Sequence, residues 1–261
     1  TSGIIRCDPA AIGKEACARE TLAPFLRRAW RRPATATELA QLVAKIQVAE
    51  EQGDGFTQGI QLALRQAFLS ANFVYRLETP IESGVAQALD GYQVASRLSY
   101  FLWSSMPDGA LLDAAAAGEL SDPTAVEAHV ERMLADPKAA ALSEGLTMQW
   151  LPGRLVAVMT PDPTRYPFDD ALRSGLKEET RRFFESFFTE NLPVPDLLDA
   201  KFTFVNERVA QHYGIPGVSG SEFRKVKLPP DSHRGGVLTM ASVLKVTANG
   251  TTTSPVLRGA W

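Results

Sequence analysis

The apolar residues of this chain recur mostly at helical spacing, and the strongest pattern is the stretch Gly91–Ser105. Within it, Leu98, Phe101 and Leu102 fall on one side of a helix with 3.6 residues per turn. Arg97 is the one charged residue of the stretch, so little of this helix should face water. We therefore predict a buried helix here, with the other helices of a bundle packed around it.

Several other segments show the same period and carry signals for a helix start. Thr35 and Glu38 have the spacing of a capping box, and acid–proline pairs begin at Asp122 and Asp136. Residues 72–78 alternate more like an extended segment, and residues 79–89 have the character of a linker or surface loop. The predicted helices are 14–31, 36–52, 56–69, 91–105, 109–117, 123–134, 139–151, 170–189 and 205–213.

The helical period fades after residue 217. Apolar or β-branched runs occur at 225–230 and 237–246, and the hydroxyl-rich run TANGTTTS follows. This pattern favours irregular chain with one short β-hairpin, and long irregular segments in compact proteins usually serve a function. The predicted fold is mainly α, a multi-helix bundle around a buried central helix with an irregular C-terminal segment.

Three parts of the chain follow from these patterns. We predict an N-terminal helical domain over 1–80, which includes a local disulfide, and a central helical domain over 81–216. The segment 217–261 would begin a further domain that is cut short at Trp261. The opening at Thr1, without a methionine, predicts a fragment or a processed product.

Cys7 and Cys17 are the two cysteines of the chain. Their spacing matches neither a CxxC zinc knuckle nor a CxxCH haem attachment motif. Because no other cysteine competes for pairing, we favour a local disulfide that ties the N-terminal loop to the next helix, and such a bridge implies an oxidising compartment. The alternative is a pair of free thiols in a reducing compartment.

Charge and hydropathy argue against a nucleic-acid partner and against a membrane-spanning helix. The net charge of −3 provides no basic field, which argues against a dedicated nucleic-acid binder. No apolar run approaches the roughly 20 residues that a membrane-spanning helix needs. The composition, with 45% hydrophobic and 22% charged residues, is that of an ordinary globular protein.

Motifs for known enzyme chemistry are missing from the sequence. It has no GxSxG elbow, no HExxH pair, no Walker loop and no GxGxxG turn. The best candidates for a binding site lie in the tail, where His233 and Arg234 precede two glycines and Arg258 follows a run of hydroxyls. Arginines beside hydroxyls suit a carboxylate, a phosphate or a haem propionate. Alternatively, the hydroxyls satisfy the loop backbone and the arginines form structural ion pairs.

Four blocks of the sequence resemble a known group of proteins. In order, they resemble large exported bacterial proteins of planctomycete type, in which three consecutive uncharacterised domains are associated with cytochrome c modules. The blocks are CARETLAPFLRRAWRRP (17–33), SRLSYFLWSSMPDGALL (96–112), FTFVNERVAQHYGIP (202–216) and RGGVLTMASVLKVTANGTTTSPVLRGAW (234–261).

The resemblance implies an exported, periplasmic or cell-surface module of a larger redox protein. Such a module would scaffold or dock a haem-bearing portion, and the expected partner is a haem-bearing continuation or a partner chain. The CxxCH segment of these proteins lies downstream, so haem c is expected there and not within this chain. On this view, His212 or His233 would approach the haem iron, and Arg234 and Arg258 would meet the propionates.

Two other functions are open at this point. A structural or interaction module for surface assembly or polysaccharide binding, without redox activity, would group exposed aromatics such as Trp30, Trp150 and Tyr166 in a groove. A hydrolase would need a carboxylate pair or a Ser–His contact that only folding can bring together. The resemblance transfers no catalytic residue, so whether the chain is an enzyme is undecided.

Overall fold

The computed structural model describes residues 3–78, 87–149, 156, 161–162 and 164–260. Helices dominate these ranges, which confirms the mainly α fold. The chain forms two compact units, Thr1–Met133 and Leu134–Trp261. Most of the predicted linker, together with Trp150 and Trp261, lies outside the described residues. The predicted boundaries at residues 80 and 216 stay a prediction.

Helices of the first unit follow closely on the capping signals. At the start of α3, the backbone N–H of Glu38 donates to Thr35 Oγ1 (3.2 Å), and the Thr35 N–H donates to Glu38 Oε2 (2.8 Å). This capping box confirms the one predicted from spacing. The helices are α1 Pro9–Ile12, α2 Lys14–Ala29, α3 Ala36–Glu51, α4 Phe56–Leu69, α5 Ala71–Val74, α6 Gly91–Trp103, α7 Gly109–Ala117 and α8 Pro123–Leu134, with a 3₁₀ turn at Glu119–Ser121.

The core of the first unit lies between α2, α3 and α4. Leu22, Leu42 and Ile60 are buried there, one from each helix. The two helices α3 and α4 approach so closely at Gly59 that a Cβ on this residue would lie 2.7 Å from the Cα of Ile46. A glycine is therefore required where these two helices cross.

The helix α6 buries one face, as an amphipathic helix does, and not its whole surface. Its buried residues are Ala95, Ser99, Leu102 and Trp103, and it packs against α7. Phe101 is 68% exposed, so its predicted place on the buried stripe is wrong. The reason is geometric, because Phe101 lies about 100° around the helix from Leu102 and so turns away from α7.

Residues 72–78 are not an extended segment throughout, because their start forms the single turn α5. The buried guanidinium of Arg31 donates to the carbonyl oxygens of Asn72 (2.5 Å) and Tyr75 (2.8 Å). These bonds satisfy backbone acceptors at the end of a short helix. An arginine far away in the sequence thus stabilises a turn that local periodicity does not predict.

Cys7 and Cys17 form the predicted disulfide, with their Cα atoms 5.6 Å apart. The side chain of Cys17 is fully buried on α2, beside Ala18 and Leu22. The bridge therefore anchors the N-terminal loop to the core of the first unit.

A two-stranded antiparallel sheet forms in the second unit, which confirms one small strand pair in a mainly α fold. Strand β1 (Phe202–Val205) pairs with strand β2 (Arg224–Lys227), with Phe202 opposite Lys227. The first strand lies upstream of residue 217, and a helix separates the two strands. The helices are α9 Ala140–Gln149, α10 Asp170–Thr189, α11 Asp196–Asp199, α12 Glu207–Tyr213, α13 Ala241–Val246 and α14 Pro255–Ala260, with 3₁₀ turns at Pro137–Ala139 and Val237–Thr239.

The long helix α10 organises the second unit, because β1, α12 and α13 all pack against it. The run 237–246, which looks like a strand in the sequence, instead forms a 3₁₀ turn followed by α13. Val243 is fully buried in the cluster that includes Phe183 of α10. Burial against a helix has overridden the β propensity of this run. Among the described residues, no helix is both long enough and apolar enough to cross a membrane.

We expect reduction of the Cys7–Cys17 bridge to lower the free energy of unfolding of the first unit by about 2–3 kcal/mol, because the unfolded chain loses a short closed loop. The measurement is urea unfolding with and without dithiothreitol. The double variant Cys7→Ser/Cys17→Ser should behave like the reduced protein and show no response to dithiothreitol. A reduced wild type as stable as the oxidised one would contradict this expectation.

The close approach at Gly59 gives a second test. We expect Gly59→Ala to destabilise the protein by roughly 1–3 kcal/mol, because the new methyl group meets the backbone of Ile46. Gly145→Ala in α9 is the matched control. Apart from the backbone of its own helix, no described atom lies within 4 Å of the place that its methyl group would take, so helix propensity should make that variant more stable by roughly 0.5–1 kcal/mol. Thermal unfolding of both variants checks the opposite signs.

Candidate anion-binding cavity

A cavity of about 670 Å³ opens in the second unit. Its wall is formed by α10, α12 and α13, by the segment around Phe168 and by the hydroxyl-rich run 250–253. The volume falls in the range of small-molecule and cofactor sites. The tail that appears irregular in the sequence therefore builds one side of a cavity.

Basic side chains dominate the polar part of this wall. No aspartate or glutamate occurs among the described residues that line the cavity. A concave surface with one sign of charge focuses its potential and attracts ions of opposite charge. The basic lining residues are Arg208, His212, Arg234, Lys245 and Arg258.

Arg258 is held by hydroxyl groups. Its Nη2 donates to Thr253 Oγ1 (2.8 Å), and its Nε donates to Thr247 Oγ1 (3.3 Å). Neutral partners orient the guanidinium without cancelling its charge. The hydroxyls of the tail thus position an arginine at the cavity.

The position of Arg234 is fixed by a rigid turn. Its Nη1 donates to the carbonyl oxygen of Thr239 (3.0 Å), and its Cζ lies 4.1 Å from the centroid of the Tyr213 ring. This is the geometry of a cation–π contact. Two residues later, Gly236 has a φ of 63°, and a Cβ there would lie 2.3 Å from the carbonyl carbon of Leu198.

The two candidate histidines have different surroundings. His212 lies at the exposed rim of the cavity, and partial burial, followed by the charges of Arg234 and Arg208, lowers its pKa. Its ring is therefore neutral at pH 7. His233 is exposed and does not line the cavity. The fold thus brings together His212, Arg234 and Arg258 and leaves His233 apart from them.

Two lining residues escaped the sequence analysis. Arg208 precedes His212 by one helical turn on α12, so the i, i+4 spacing could have indicated that the two side chains lie on the same helix face. The Arg208 Nε donates to Asp169 Oδ2 (2.8 Å). Lys245 gave no signal, because its segment resembles a strand. The Lys245 Nζ donates to the carbonyl oxygen of Val156 (2.6 Å). The pKa of Lys245 is lowered to about 8, chiefly by burial and further by the positive charges of Arg173 and Lys177.

Beneath the cavity lies a buried acid that the sequence did not single out. Glu179 of α10 is 1% exposed, and its two oxygens accept hydrogen bonds from Thr203 Oγ1 and Tyr213 Oη, both at 2.6 Å. Burial raises the pKa of Glu179 to about 7, against the opposing effects of these two bonds and the charge of Arg234. The carboxyl group therefore titrates near neutral pH.

Tyr213 connects this acid to the cavity wall. Its hydroxyl donates to Glu179 and accepts from the backbone N–H of Ala241 (2.9 Å) at the start of α13. Burial, together with the neighbouring Glu179, raises the pKa of Tyr213 well above its usual value. The phenol therefore stays protonated and acts as a fixed donor.

Two family models match the chain. Residues 17–78 match PSD5, a protein of unknown function (DUF1595), and residues 89–215 match PSD4, a protein of unknown function (DUF1592). Both are families of unknown function, and each model covers less than half of the chain. They are typical of planctomycete cytochrome-c-associated proteins, which confirms the resemblance drawn from the four sequence blocks. Neither a curated protein nor a solved structure matches the chain.

The PSD4 domain supplies only part of the cavity. Arg208 and His212 lie within its matched range, whereas Arg234, Lys245 and Arg258 follow it. The wall also includes the side chains of Tyr166, Phe168 and Leu244, which suit an apolar body attached to an anionic group. Among the residues with a described position, no three His, Cys, Asp or Glu side chains are grouped as metal ligands.

The buried acid of the PSD4 domain predicts a pH-dependent stability. Because the pKa of Glu179 is higher in the folded protein than in the unfolded chain, its contribution to stability is complete below about pH 4.3 and is lost as the pH rises through about 7. We expect the wild type to lose about 3 kcal/mol relative to Glu179→Gln between pH 4.5 and 7.5. Urea unfolding of both proteins across this range measures the difference, and a constant difference would contradict the expectation.

Proposed function

We propose that this chain is an exported helical module of a larger cytochrome-c-associated redox protein, and that it docks a haem-bearing portion at the cavity of its second unit. The single observation that carries the proposal is the convergence of basic side chains on a cavity whose described lining includes no carboxylate. The edge of a haem carries two propionates, and guanidinium groups are the preferred partners of carboxylates in proteins.

The residues of the cavity fit such a group. Arg234 and Arg258 donate hydrogen bonds to neutral oxygen atoms, so positive charge is available at the cavity for propionates. Phe168 and Leu244 offer apolar contact for a ring system. His212 is neutral and exposed at the rim, which leaves a ring nitrogen for an iron ligand. Covalent attachment would take place in the continuation or in a partner, since the chain itself has no CxxCH segment.

Export of the module is supported by its disulfide. Intrachain disulfides form and persist mainly in oxidising compartments such as the periplasm and the cell surface. The Cys7–Cys17 bridge fits either location. Both domains matched in the chain are typical of proteins for which export is expected from the resemblance.

The alternative of a polysaccharide-binding module has weaker support. Trp30, one of the aromatics it required in a groove, is only 6% exposed, and its Nε1 donates to the carbonyl oxygen of Ala67 in the core. Tyr166 is 48% exposed and lines the cavity. Trp150 lies outside the described residues. A hydrolase has weaker support too, because no carboxylate pair occurs among the described residues that line the cavity, and Glu179 beneath the wall is bonded to Thr203 and Tyr213.

The test uses the complete gene product, expressed in a host that matures c-type cytochromes. We expect a mass and a visible spectrum that show haem. We also expect Arg234→Gln/Arg258→Gln to lower the midpoint potential by an amount on the order of tens of millivolts, because positive charge near a haem favours the reduced state. His212→Ala should change the Soret spectrum if His212 is a ligand, and an unchanged spectrum would remove that role.

Arg19→Gln is the matched control, because Arg19 is an arginine of the first unit whose Nη2 lies 2.9 Å from Glu15 Oε1. The control should leave the potential unchanged. A gene product without haem, or the same potential in the double variant as in the wild type, would overturn the proposal.

A further inference from the structure

We infer that Glu179 controls the affinity of the cavity for anions through Arg234, so that the buried carboxyl group takes up a proton when an anion binds. This inference rests on the proposed function only in requiring that the cavity bind an anionic group. Glu179 does not line the cavity and would not touch the ligand. It would act as a positioning residue beneath the wall.

The geometry connects the acid to the cavity through one side chain. Arg234 lines the cavity, and it also borders a small crevice of about 10 Å³ that Glu179 and Tyr213 share. Its guanidinium stacks on the ring of Tyr213, whose hydroxyl is bonded to Glu179. One guanidinium thus faces a buried carboxyl group on one side and the cavity on the other.

Ionised Glu179 and an anion in the cavity compete for the positive charge of Arg234. An anion in the cavity places a second negative charge near the cation that favours ionised Glu179, and like charges disfavour the ionised form of an acid. The pKa of Glu179, already about 7, would therefore rise when the cavity is occupied. Because linkage is reciprocal, protonation of Glu179 must strengthen anion binding by the same factor.

Few other groups titrate near this site. The titratable or charged side chains that face Glu179 from the described elements around it are Tyr213 of α12 and Arg234. The raised pKa of Tyr213 keeps its phenol protonated at neutral pH. In the cavity itself, His212 loses its proton below pH 7, and Lys245 titrates near pH 8. The background His212→Gln/Lys245→Arg removes both titrations and keeps the charge at position 245.

The probe is naphthalene-2-sulfonate, which joins an apolar ring to an anion that stays ionised at every pH used. Isothermal titration calorimetry at pH 7.5 in two buffers with different ionisation enthalpies counts the protons taken up on binding. In the background variant, we expect uptake of a fraction of a proton per bound probe. We also expect affinity to fall on the order of tenfold between pH 6 and pH 8.5.

Replacement of the acid should abolish this linkage. Glu179→Gln, made in the same background, mimics the neutral carboxyl group, so binding should stay tight at high pH with no net proton uptake. Glu185→Gln is the matched control on α10. Its carboxylate lies on the helix surface, 3.0 Å from Arg181 Nη1, and its loss should leave the proton count unchanged.

The outcomes separate this inference from the proposed function. Binding that Arg234→Gln abolishes, but that takes up no protons, would overturn the role of Glu179 and leave anion binding at the cavity intact. No binding of the sulfonate, or equal binding of the neutral naphthalene-2-sulfonamide, would overturn both. If Glu179→Gln fails to fold, the proton count of the background variant still decides the question.

Discussion

The second unit depends on one buried carboxyl group. Glu179 of α10 receives hydrogen bonds from Thr203 of β1 and from Tyr213 of α12, and the Tyr213 hydroxyl in turn accepts from Ala241 at the start of α13. A buried polar group without partners costs far more than a satisfied one contributes, so each of these elements has one permitted position on α10. Apolar contacts supply the binding energy between the elements, and the acid fixes their alignment.

The first unit reaches a defined structure by a different route. Its core between α2, α3 and α4 is apolar, and the crossing at Gly59 is set by backbone contact. The main polar device is Arg31, whose φ of 60° and buried guanidinium hold the carbonyl groups around α5. Its N-terminal loop needs a covalent bridge, because so short a segment buries little apolar surface of its own.

Local signals in the sequence were sufficient for most helices and for the disulfide, because caps, periods and spacings act within a few residues. They failed at α5 and α13, where partners distant in the chain decide the structure, and at Phe101, where amphipathicity alone does not say which face meets a neighbour. At the cavity, tail motifs pointed to Arg234 and Arg258, and the resemblance pointed to His212. Lys245 and Glu179 acquire their character only from burial, which no pattern of residue types shows.

The turn that holds Arg234 depends on Gly236. At Gly236, the backbone of α11 leaves no volume for a side chain, and the positive φ excludes most other residues. An arginine two positions before such a glycine can therefore take this place in the wall only if the glycine is retained. The triplet Arg-Gly-Gly, followed by a helix that begins at an alanine, is thus a sequence marker for the basic wall of the cavity. Related chains that lack it should be unable to place an arginine there.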